Sequence, residues 1–393
     1  MAFAARNLSL RTPLLALAAG LLMLSCAGGR PMAAETGPTA RQALEGAGAA
    51  GDWLVRTQRD DGEFAYVYDP AADAFSQQDY SFVRHAGVTW GLLDLYRRTG
   101  RQAYLRSAER GLSRLERQVR RQGDLAYVVS QDSAPLGGAA LAAVAYLSLP
   151  NPTPQQRDTA AALGATILKM QRADGSFPSH YAGDASLRAA QMRSLYYPGE
   201  ALLALTRLYA ATRDERWLDA ARFAARYLAG RRDLDWGLTQ PPDDHWYVIA
   251  AAELAPLLRE RASQAQVGEG AELEGDLRNF GDYAFKVADV LLAESRRLER
   301  SSPAATAGEG LAAACRLADA LGRPREPYLS GLRDCARFLL ALQFSDTGAA
   351  RFPDARNAAG AFPDSASDPW TRMDFQQHGI MCLLGLEALT REG

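Results

Sequence analysis

The chain is poor in the residues that most often carry redox, metal and phosphate chemistry. Its 393 residues include four cysteines and four histidines, and its only lysines are Lys169 and Lys286. Three cysteines, Cys315, Cys335 and Cys382, lie inside helical patterns, so we expect buried thiols instead of a disulfide framework or a zinc site. The formal net charge is only -2, which argues against nucleic acid as a partner.

Several catalytic signatures are also absent. The sequence has no Gly-x-Ser-x-Gly elbow, no phosphate-binding glycine loop and no dinucleotide fingerprint. No His-x-x-x-His pair supports a zinc site, so we expect neither a metal nor another cofactor. The one metal alternative left open would recruit His85, His245 and His378 together with Asp244.

The first 40 residues have the pattern of a targeting region. Basic Arg6 and Arg11 precede an apolar run over residues 13–24, which is too short for a comfortable membrane span and predicts a secretory signal over residues 1–26. Met-Leu-Ser-Cys at 23–26 resembles a bacterial lipobox, which implies acylation of Cys26, although methionine departs from the usual leucine and leaves ordinary cleavage open. Residues 27–40 would form a flexible tether. We expect an exported envelope protein with a lipid anchor, in the outer membrane or periplasm of a Gram-negative cell.

Helical periodicity recurs in pairs after the tether, and such a repeat decides the fold. One member of each pair is amphipathic, as in a helix with one solvated face, and these outer helices are residues 41–57, 102–120, 154–171, 215–228, 277–298 and 326–343. The other is apolar and rich in Ala and Gly on nearly all sides, and these inner helices are residues 82–96, 136–149, 197–209, 244–258, 306–321 and 374–389. The alternation predicts an all-α fold, a single (α/α)6 toroid of six helical hairpins over residues 41–393.

The connections between these helices differ in length. Three long loops follow outer helices, at residues 59–81, 172–196 and 344–373, and they are rich in aromatic and acidic residues. The face that carries them is the candidate functional face. Residues 259–276 form a long connection from an inner to an outer helix, and we expect a mobile surface excursion there.

Three outer helices end in a similar phrase of glutamine, glycine and an aromatic residue. The phrase resembles the Gln and Asp-Gly-aromatic motifs of α/α toroids, which include terpenoid cyclases and six-hairpin polysaccharide enzymes. Glycine supplies the left-handed exit from a helix, so the phrase indicates fold more than chemistry. The copies start at Gln58, Gln171 and Gln343, reach glycine at Gly62, Gly175 and Gly348, and end at Phe64, Phe177 and Phe352.

Polar side chains concentrate at the N-terminal ends of the inner helices, next to the long loops. Six such ends converge on one mouth of a toroid, so these side chains could line a single cavity that suits anionic groups. Each histidine alone also fits a satisfied buried side chain. The residues are Arg84, His85, Tyr197, Glu200, Asp244, His245, Trp246, Glu309, Asp374, Gln377 and His378.

The carboxylates among them differ in what they predict. Asp244 and Asp374 stand where aspartate commonly caps a helix. Glu200 and Glu309 lie inside their helices in similar Gly-Glu contexts. A buried carboxylate there must be paired or protonated, which favours Glu200 as a general acid or base.

Four segments, residues 79–87, 196–200, 244–246 and 374–378, resemble the central-cavity motifs of a bacterial family in the six-hairpin glycosidase-like group. The resemblance implies an enzyme that acts on a polysaccharide or glycoconjugate, as a glycoside hydrolase, a polysaccharide lyase or a uronyl epimerase. It implies substrate contacts from Arg84, Tyr197, His245, Trp246, Gln377 and His378.

These reactions would use the residues differently. In a hydrolase, Glu200 would protonate the leaving oxygen while Asp244 or Asp374 activates water. In a lyase or epimerase, His85 or Tyr197 would remove the proton beside a uronate carboxylate. Arg84 would then neutralise the developing charge.

Two other classes of protein stay open. A terpenoid-cyclase-like or prenyl-binding toroid would need an Asp-x-Asp-Asp cluster, and Asp243-Asp244 is the nearest approach on an inner helix. A non-catalytic envelope scaffold would use the same polar mouth only as a binding surface.

Overall fold

A computed structural model describes residues 37–188 and 192–391 of the chain. The predicted signal, Cys26 and residues 27–36 of the tether lie outside these ranges. In chain order the elements are α1 (Ala40–Thr57), β1 (Val67–Asp69), β2 (Ala74–Ser76), α2 (Phe82–Thr99), α3 (Gln102–Glu116), β3 (Val119–Gln122), β4 (Leu125–Val128), α4 (Leu136–Leu147), α5 (Pro154–Met170), α6 (Tyr197–Thr212), α7 (Glu215–Gly230), α8 (Arg232–Asp235), α9 (His245–Gln264), α10 (Val267–Glu294), α11 (Ser301–Leu321), α12 (Glu326–Leu342), α13 (Asp346–Ala349), α14 (Ala355–Ala358), β5 (Thr371–Arg372) and α15 (Met373–Thr390).

Six helices form a closed inner ring in the order α2, α4, α6, α9, α11 and α15. Each packs against the next, and α15 packs against α2 to complete the circle. Helices α1, α3, α5, α7, α10 and α12 pack outside this ring. The predicted all-α toroid of six hairpins is therefore confirmed.

Burial follows the residue pattern that separates the two rings. In the inner helix α4, every residue from Leu136 to Tyr146 is buried, and most are alanine or glycine. In the outer helix α3, the buried positions recur three and four residues apart, from Tyr104 to Leu115. A helix covered on all sides and one with a single buried face produce these two patterns.

The predicted mobile excursion over residues 259–276 is wrong. Helix α9 continues to Gln264 and α10 already begins at Val267, so only two residues connect them. Asp276 accepts hydrogen bonds from Arg222 and Arg226 of α7, each at 2.8 Å. These ion pairs help to hold a mostly polar helical segment against α7 of the outer ring. A search of the sequence for apolar periodicity does not detect such a segment.

The glutamine phrase links neighbouring outer helices. Gln58, after α1, donates to the carbonyl of Ser107 in α3 at 3.1 Å, and Gln171, after α5, donates to Ala220 in α7 at 2.9 Å. Gln343, after α12, donates to the carbonyl of Gly46 in α1 at 2.9 Å. The last copy therefore joins the end of the outer ring to its beginning.

The third copy of the phrase uses a different glycine from the predicted one. Gly360, with φ +85°, takes the left-handed conformation that Gly62 and Gly175 take in the other copies. Phe344 donates its backbone N–H to Ala361 at 3.0 Å. The third copy is thus Gln343-Phe344 continued by Gly360-Ala361-Phe362, and the predicted Gly348 and Phe352 belong near the inserted helices α13 and α14.

Short strands cover part of the face with the long loops. Strand β1 pairs with β2 on one side and with β5 on the other, which ties residues 67–69 to the segment just before α15. Strands β3 and β4 form a separate hairpin between α3 and α4. Among the helices in the described ranges, none is both long and apolar enough to cross a membrane.

The close approach at Gly360 should make this glycine hard to replace. A Cβ there would collide with the carbonyl of Ala49 in α1, whereas one on Gly100, also at positive φ, would meet nothing within 4 Å among the described atoms. We expect Gly100→Ala to cost about 1 kcal/mol of unfolding free energy and Gly360→Ala about 2–4 kcal/mol. Chemical denaturation measures the unfolding free energy of both variants. Equal losses in the two variants would contradict the close approach of Gly360 to Ala49.

Candidate active site

Four of the inner helices meet through polar side chains near their N-terminal ends. Arg84 of α2 donates to Asp374 of α15 at 3.0 Å. His378, one turn further along α15, hydrogen-bonds through Nδ1 to Glu309 of α11 at 2.7 Å. The ring of His378 also lies against His245 of α9, with centroids 5.4 Å apart. These contacts place α2, α15, α11 and α9 around one polar centre.

The two remaining inner helices meet at Gly137 and Glu200. A Cβ on Gly137 of α4 would collide with the Oε2 atom of Glu200 and with the ring of Tyr197, both in α6. Glycine at 137 therefore makes the space that the carboxyl group occupies.

Glu200 is a buried carboxyl group with a free oxygen. The residue is only 4% exposed. Its Oε2 atom makes no hydrogen bond to any described residue. Burial and, to a lesser degree, the charge of Asp244 raise the pKa of Glu200 to about 8, against the opposing charge of Arg84. At neutral pH this carboxyl group is largely protonated and can donate a proton.

His245 is a buried imidazole that the protein leaves unbonded. The residue is 2% exposed, and neither ring nitrogen has a hydrogen-bond partner within the part of the chain that the structure describes. Burial lowers the pKa of His245 well below its usual range, and the neighbouring His378 lowers it further. The ring is therefore neutral at physiological pH and has one nitrogen lone pair ready to accept a proton.

Glu309 orients His378 and brings a carboxylate to the same place. One of its oxygens bonds Nδ1 of His378, while Oε1 is buried without a partner in the described ranges. Donor atoms of His245, Glu309 and His378 lie within 4.8 Å of one another. These three side chains are the ones that could hold a metal ion. Of the metal set left open by the sequence, only His245 and His378 are brought together.

Asp374 belongs to an arginine-rich cluster at the rim. It accepts from Arg84 at 3.0 Å and from Arg372 at 2.5 Å, and Arg84 also donates to the hydroxyl of Tyr66 at 3.0 Å. Burial raises the pKa of Asp374, but the hydrogen bonds and charges of both arginines outweigh it, so the pKa falls overall. Asp374 is an ionised acceptor whose lone pairs are already engaged.

Asp244 is committed to structure. It is fully buried, forms an ion pair with the equally buried Arg232, and accepts from the backbone N–H of Tyr247 at 3.1 Å as the N-cap of α9. A carboxylate held in this way is poorly placed to activate water, or to serve as the acid of a terpenoid cyclase. Its contact with α9 instead fixes His245, the first residue of that helix.

His85 is placed differently from the general base predicted from the sequence. Its Nε2 atom donates to the carbonyl of Gly111 in α3 at 2.8 Å, and its Nδ1 atom accepts from the hydroxyl of Tyr80 at 2.6 Å. The ring is fully buried, and burial lowers its pKa to about 4. Both nitrogens are satisfied by groups outside the polar centre, so His85 is a packing residue between α2 and α3.

The other predicted residues line the centre. Burial and the nearby Glu200 raise the pKa of Tyr197 to about 12, so its hydroxyl is a hydrogen-bond donor and not a base at neutral pH. Trp246 packs its ring against His245 at 5.1 Å and against His378 at 6.0 Å. Gln377 is buried, and its Nε2 atom lacks a partner among the residues described.

Three residues contribute to the site although the sequence analysis gave them no role in it. Glu309 had the signal of a Gly-Glu context like that of Glu200, and Arg372 precedes α15 at the mouth. Arg232 carried no usable signal, because an arginine outside the inner helices in an arginine-rich chain looks like a surface residue. Only the fold shows that its guanidinium is buried against Asp244.

Solved structures share this fold along nearly the whole chain. An α-1,6-mannanase from a Salegentibacter species is 16% identical with a TM-score of 0.60, and the match covers 89% of this chain and 100% of that one. Cellobiose 2-epimerase from Spirochaeta thermophila is 12% identical with a TM-score of 0.62, covering 90% and 98%. A D-mannose isomerase is 16% identical with a TM-score of 0.59, covering 89% and 97%.

These neighbours support the (α/α)6 toroid as the fold of the chain. Inactive variants of the mannanase, in which two consecutive aspartates are replaced, hold α-1,6-mannotriose and α-1,6-mannotetrose. No protein-family model and no curated protein sequence matches the chain.

The raised pKa of Glu200 predicts how stability depends on pH. Its ordinary pKa is 4.5 and its folded pKa about 8, so the folded state binds the extra proton between these values. The stability from this proton is complete below pH 4.5 and is lost as the pH rises towards 8. Glu200→Gln should therefore become more stable relative to the parent protein between pH 5 and 8, by roughly 2–4 kcal/mol.

Denaturant titrations at several pH values measure this difference. Glu299→Gln is the matched control, because Glu299 is exposed and should show no such trend. A Glu200→Gln curve parallel to that of the parent protein across this pH range would show that Glu200 is already ionised.

Proposed function

We propose that this protein is a carbohydrate epimerase or isomerase in which His245 and His378 transfer protons to and from a carbon next to a carbonyl group. The observation that carries the proposal is the neutral, unbonded imidazole of His245 facing His378 across 5.4 Å. The sequence motifs implied a uronyl epimerase that acts beside a carboxylate. The present proposal instead places the reacting carbon beside a carbonyl group, and it gives His245 the role that had been assigned to His85.

The chemistry needs a base and an acid close to one carbon atom. A neutral imidazole removes the proton from carbon 2 of an open-chain sugar, and the electron pair moves onto the carbonyl oxygen as an enediolate. A second group returns a proton to the opposite face of carbon 2 in an epimerase, or to carbon 1 in an isomerase. Glu309 holds His378 in one orientation at 2.7 Å, which suits it to this second role.

Other residues of the centre suit the remaining tasks. Protonated Glu200 is able to donate to the ring oxygen when a cyclic sugar opens, or to the enediolate oxygen afterwards. Arg84 stabilises negative charge, while Tyr197 and Gln377 offer hydrogen-bond donors to hydroxyl groups. Trp246 supplies an apolar wall of the kind that packs against a sugar ring.

The fold comparisons support the proposal without deciding it. Two of the neighbours are an epimerase and an isomerase by name, but at 12% and 16% identity the likeness concerns the fold. Function on a shared fold has to be argued from the site.

Exchange of solvent deuterium into the sugar tests the reaction directly. Purified protein without its signal is incubated in deuterated water with reducing monosaccharides and disaccharides and with uronate-containing oligosaccharides, and NMR follows incorporation and new isomers. His245→Ala and His378→Ala should each lower the rate by at least about 100-fold, the usual contribution of a general acid or base. Arg106→Ala, at an exposed position of the outer helix α3, is the control.

Incorporation that survives in both variants would remove the two histidines from the mechanism. Absence of incorporation from every sugar, with the protein correctly folded, would contradict the reaction class and favour the non-catalytic scaffold.

Glycoside hydrolysis is the second candidate reaction. It is favoured by the protonated carboxyl group of Glu200, whose Oε2 atom has no partner among the described residues. In that reaction Glu200 protonates the leaving oxygen. Asp374 or Asp244 would have to release an arginine partner before it could assist water. Release of reducing ends that disappears in Glu200→Gln, without deuterium at carbon 2, would select this candidate. An unsaturated uronate product would instead indicate a lyase.

We also propose that Cys26 anchors the protein to the envelope through a lipid. The support is the lipobox-like Met-Leu-Ser-Cys at residues 23–26 behind a short apolar run. Cys26→Ser should lose incorporation of a labelled fatty acid and move from the membrane fraction to the periplasmic fraction. A parent protein that is already unlabelled and periplasmic would indicate ordinary signal cleavage.

A further inference from the structure

Three consecutive helices of the inner ring bring together side chains of the kinds that bind metal ions. His245 begins α9, Glu309 lies in α11 and His378 lies in α15. A nitrogen or oxygen from each falls within 4.8 Å of those from the other two. We propose that these three side chains bind a divalent transition-metal ion, with Zn²⁺ as the best match, and that the bound ion blocks proton transfer by the same histidines.

The donor set fits zinc. Two imidazoles and one carboxylate are a common three-ligand set for this ion, and they leave a fourth position open for water or substrate. Calcium and magnesium prefer oxygen ligands, so the two nitrogens disfavour them. No thiol lies in this group of ligands, which argues against copper(I).

Unbonded atoms at the site supply the second observation. His245 and Glu309 are 2% and 4% exposed. Both nitrogens of His245 and one oxygen of Glu309 are buried without partners in residues 37–188 and 192–391. Because an unsatisfied buried polar atom costs about 1–3 kcal/mol, an ion that engages two of them at once is strongly favoured there.

Small side-chain movements suffice to close the site. Ligand atoms about 2.0–2.2 Å from a tetrahedral ion lie about 3.4 Å from one another. The spread of up to 4.8 Å therefore needs inward shifts of about 1 Å, which rotation of the side chains on fixed helices can provide. The ion would replace the hydrogen bond between Nδ1 of His378 and Glu309 at 2.7 Å.

A second cavity gives access to Glu309 from the other end of the ring. It has a volume of about 240 Å³ and lies among the later turns of the inner helices. Besides Glu309, its charged lining consists of Asp94 and Glu253, with Arg97, Arg207 and Arg316. The bidentate pair of Arg207 and Glu253 neutralises two of these charges. Of the three proposed ligands, only Glu309 lines this cavity.

Direct binding measurements test the site without any reliance on activity. The mature protein is stripped with a chelator, and calorimetric titration with Zn²⁺ gives stoichiometry and affinity. The visible spectrum of the Co²⁺-loaded protein then reports tetrahedral coordination. We expect one ion per chain, with the visible spectrum of a tetrahedral Co²⁺ site.

Ligand variants identify where the ion sits. His245→Ala, His378→Ala and Glu309→Gln should each weaken binding by more than about 10-fold, since loss of even an outer-shell partner has that effect. His180→Ala and Glu299→Gln are the matched controls and should bind as the parent protein does. Circular dichroism confirms that each variant is folded. Absent binding, or binding unchanged in all three ligand variants, would overturn the proposal.

The effect of zinc on turnover is the part that rests on the proposed function. Metal-free protein should catalyse deuterium exchange, and Zn²⁺ should inhibit it in competition with the sugar. If zinc binds to these ligands but no exchange occurs, the metal site stands and the epimerase proposal fails. If exchange requires zinc, the blocking role is wrong and the histidines are ligands and not bases.

Discussion

Close packing of the six inner helices is the constraint on which the whole structure depends. Alanine and glycine cover their surfaces, so the ring is narrow and any polar side chain that points to the axis leaves bulk water. Gly137 shows the tolerance involved, because a single added carbon would occupy the place of the Glu200 carboxyl group. The chemistry of the site depends on this exclusion of water more than on any one sequence motif.

Burial away from water shifts the pKa values of carboxyl groups and imidazoles in opposite directions. Without a partner, Glu200 keeps its proton and His245 loses its own, so both are uncharged near neutral pH. Asp374 escapes this effect because Arg84 and Arg372 pair with it and lower its pKa overall. The pKa of Asp244 stays raised, since burial outweighs the ion pair with Arg232. The interior therefore holds a neutral acid and a neutral base, and these are the two kinds of group that proton transfer at carbon requires.

Much of the fold could be predicted from the sequence, because amphipathic and uniformly apolar helices alternate strictly. The residues of the site were harder to predict, as the position of His85 illustrates. A helix buried on every side has no polar face to set its rotation, so nothing in the pattern distinguished His85, which turns towards α3, from His245, which turns to the axis. Residues 259–276 were missed for the converse reason, since most of their side chains are polar, and ion pairs to α7 supplement the burial of Leu273.

The glutamine phrase explains how the site and its rim can vary independently. In the third copy, residues 345–359 are inserted between Phe344 and Gly360, yet the two anchors still bond each other at 2.8 Å, as Arg59 and Gly62 do at 3.0 Å. The glutamine side chain secures the helix end at each anchor, so a loop can lengthen there without moving the inner ring. Side chains on the axis are thereby decoupled from changes of length in the loops around the mouth.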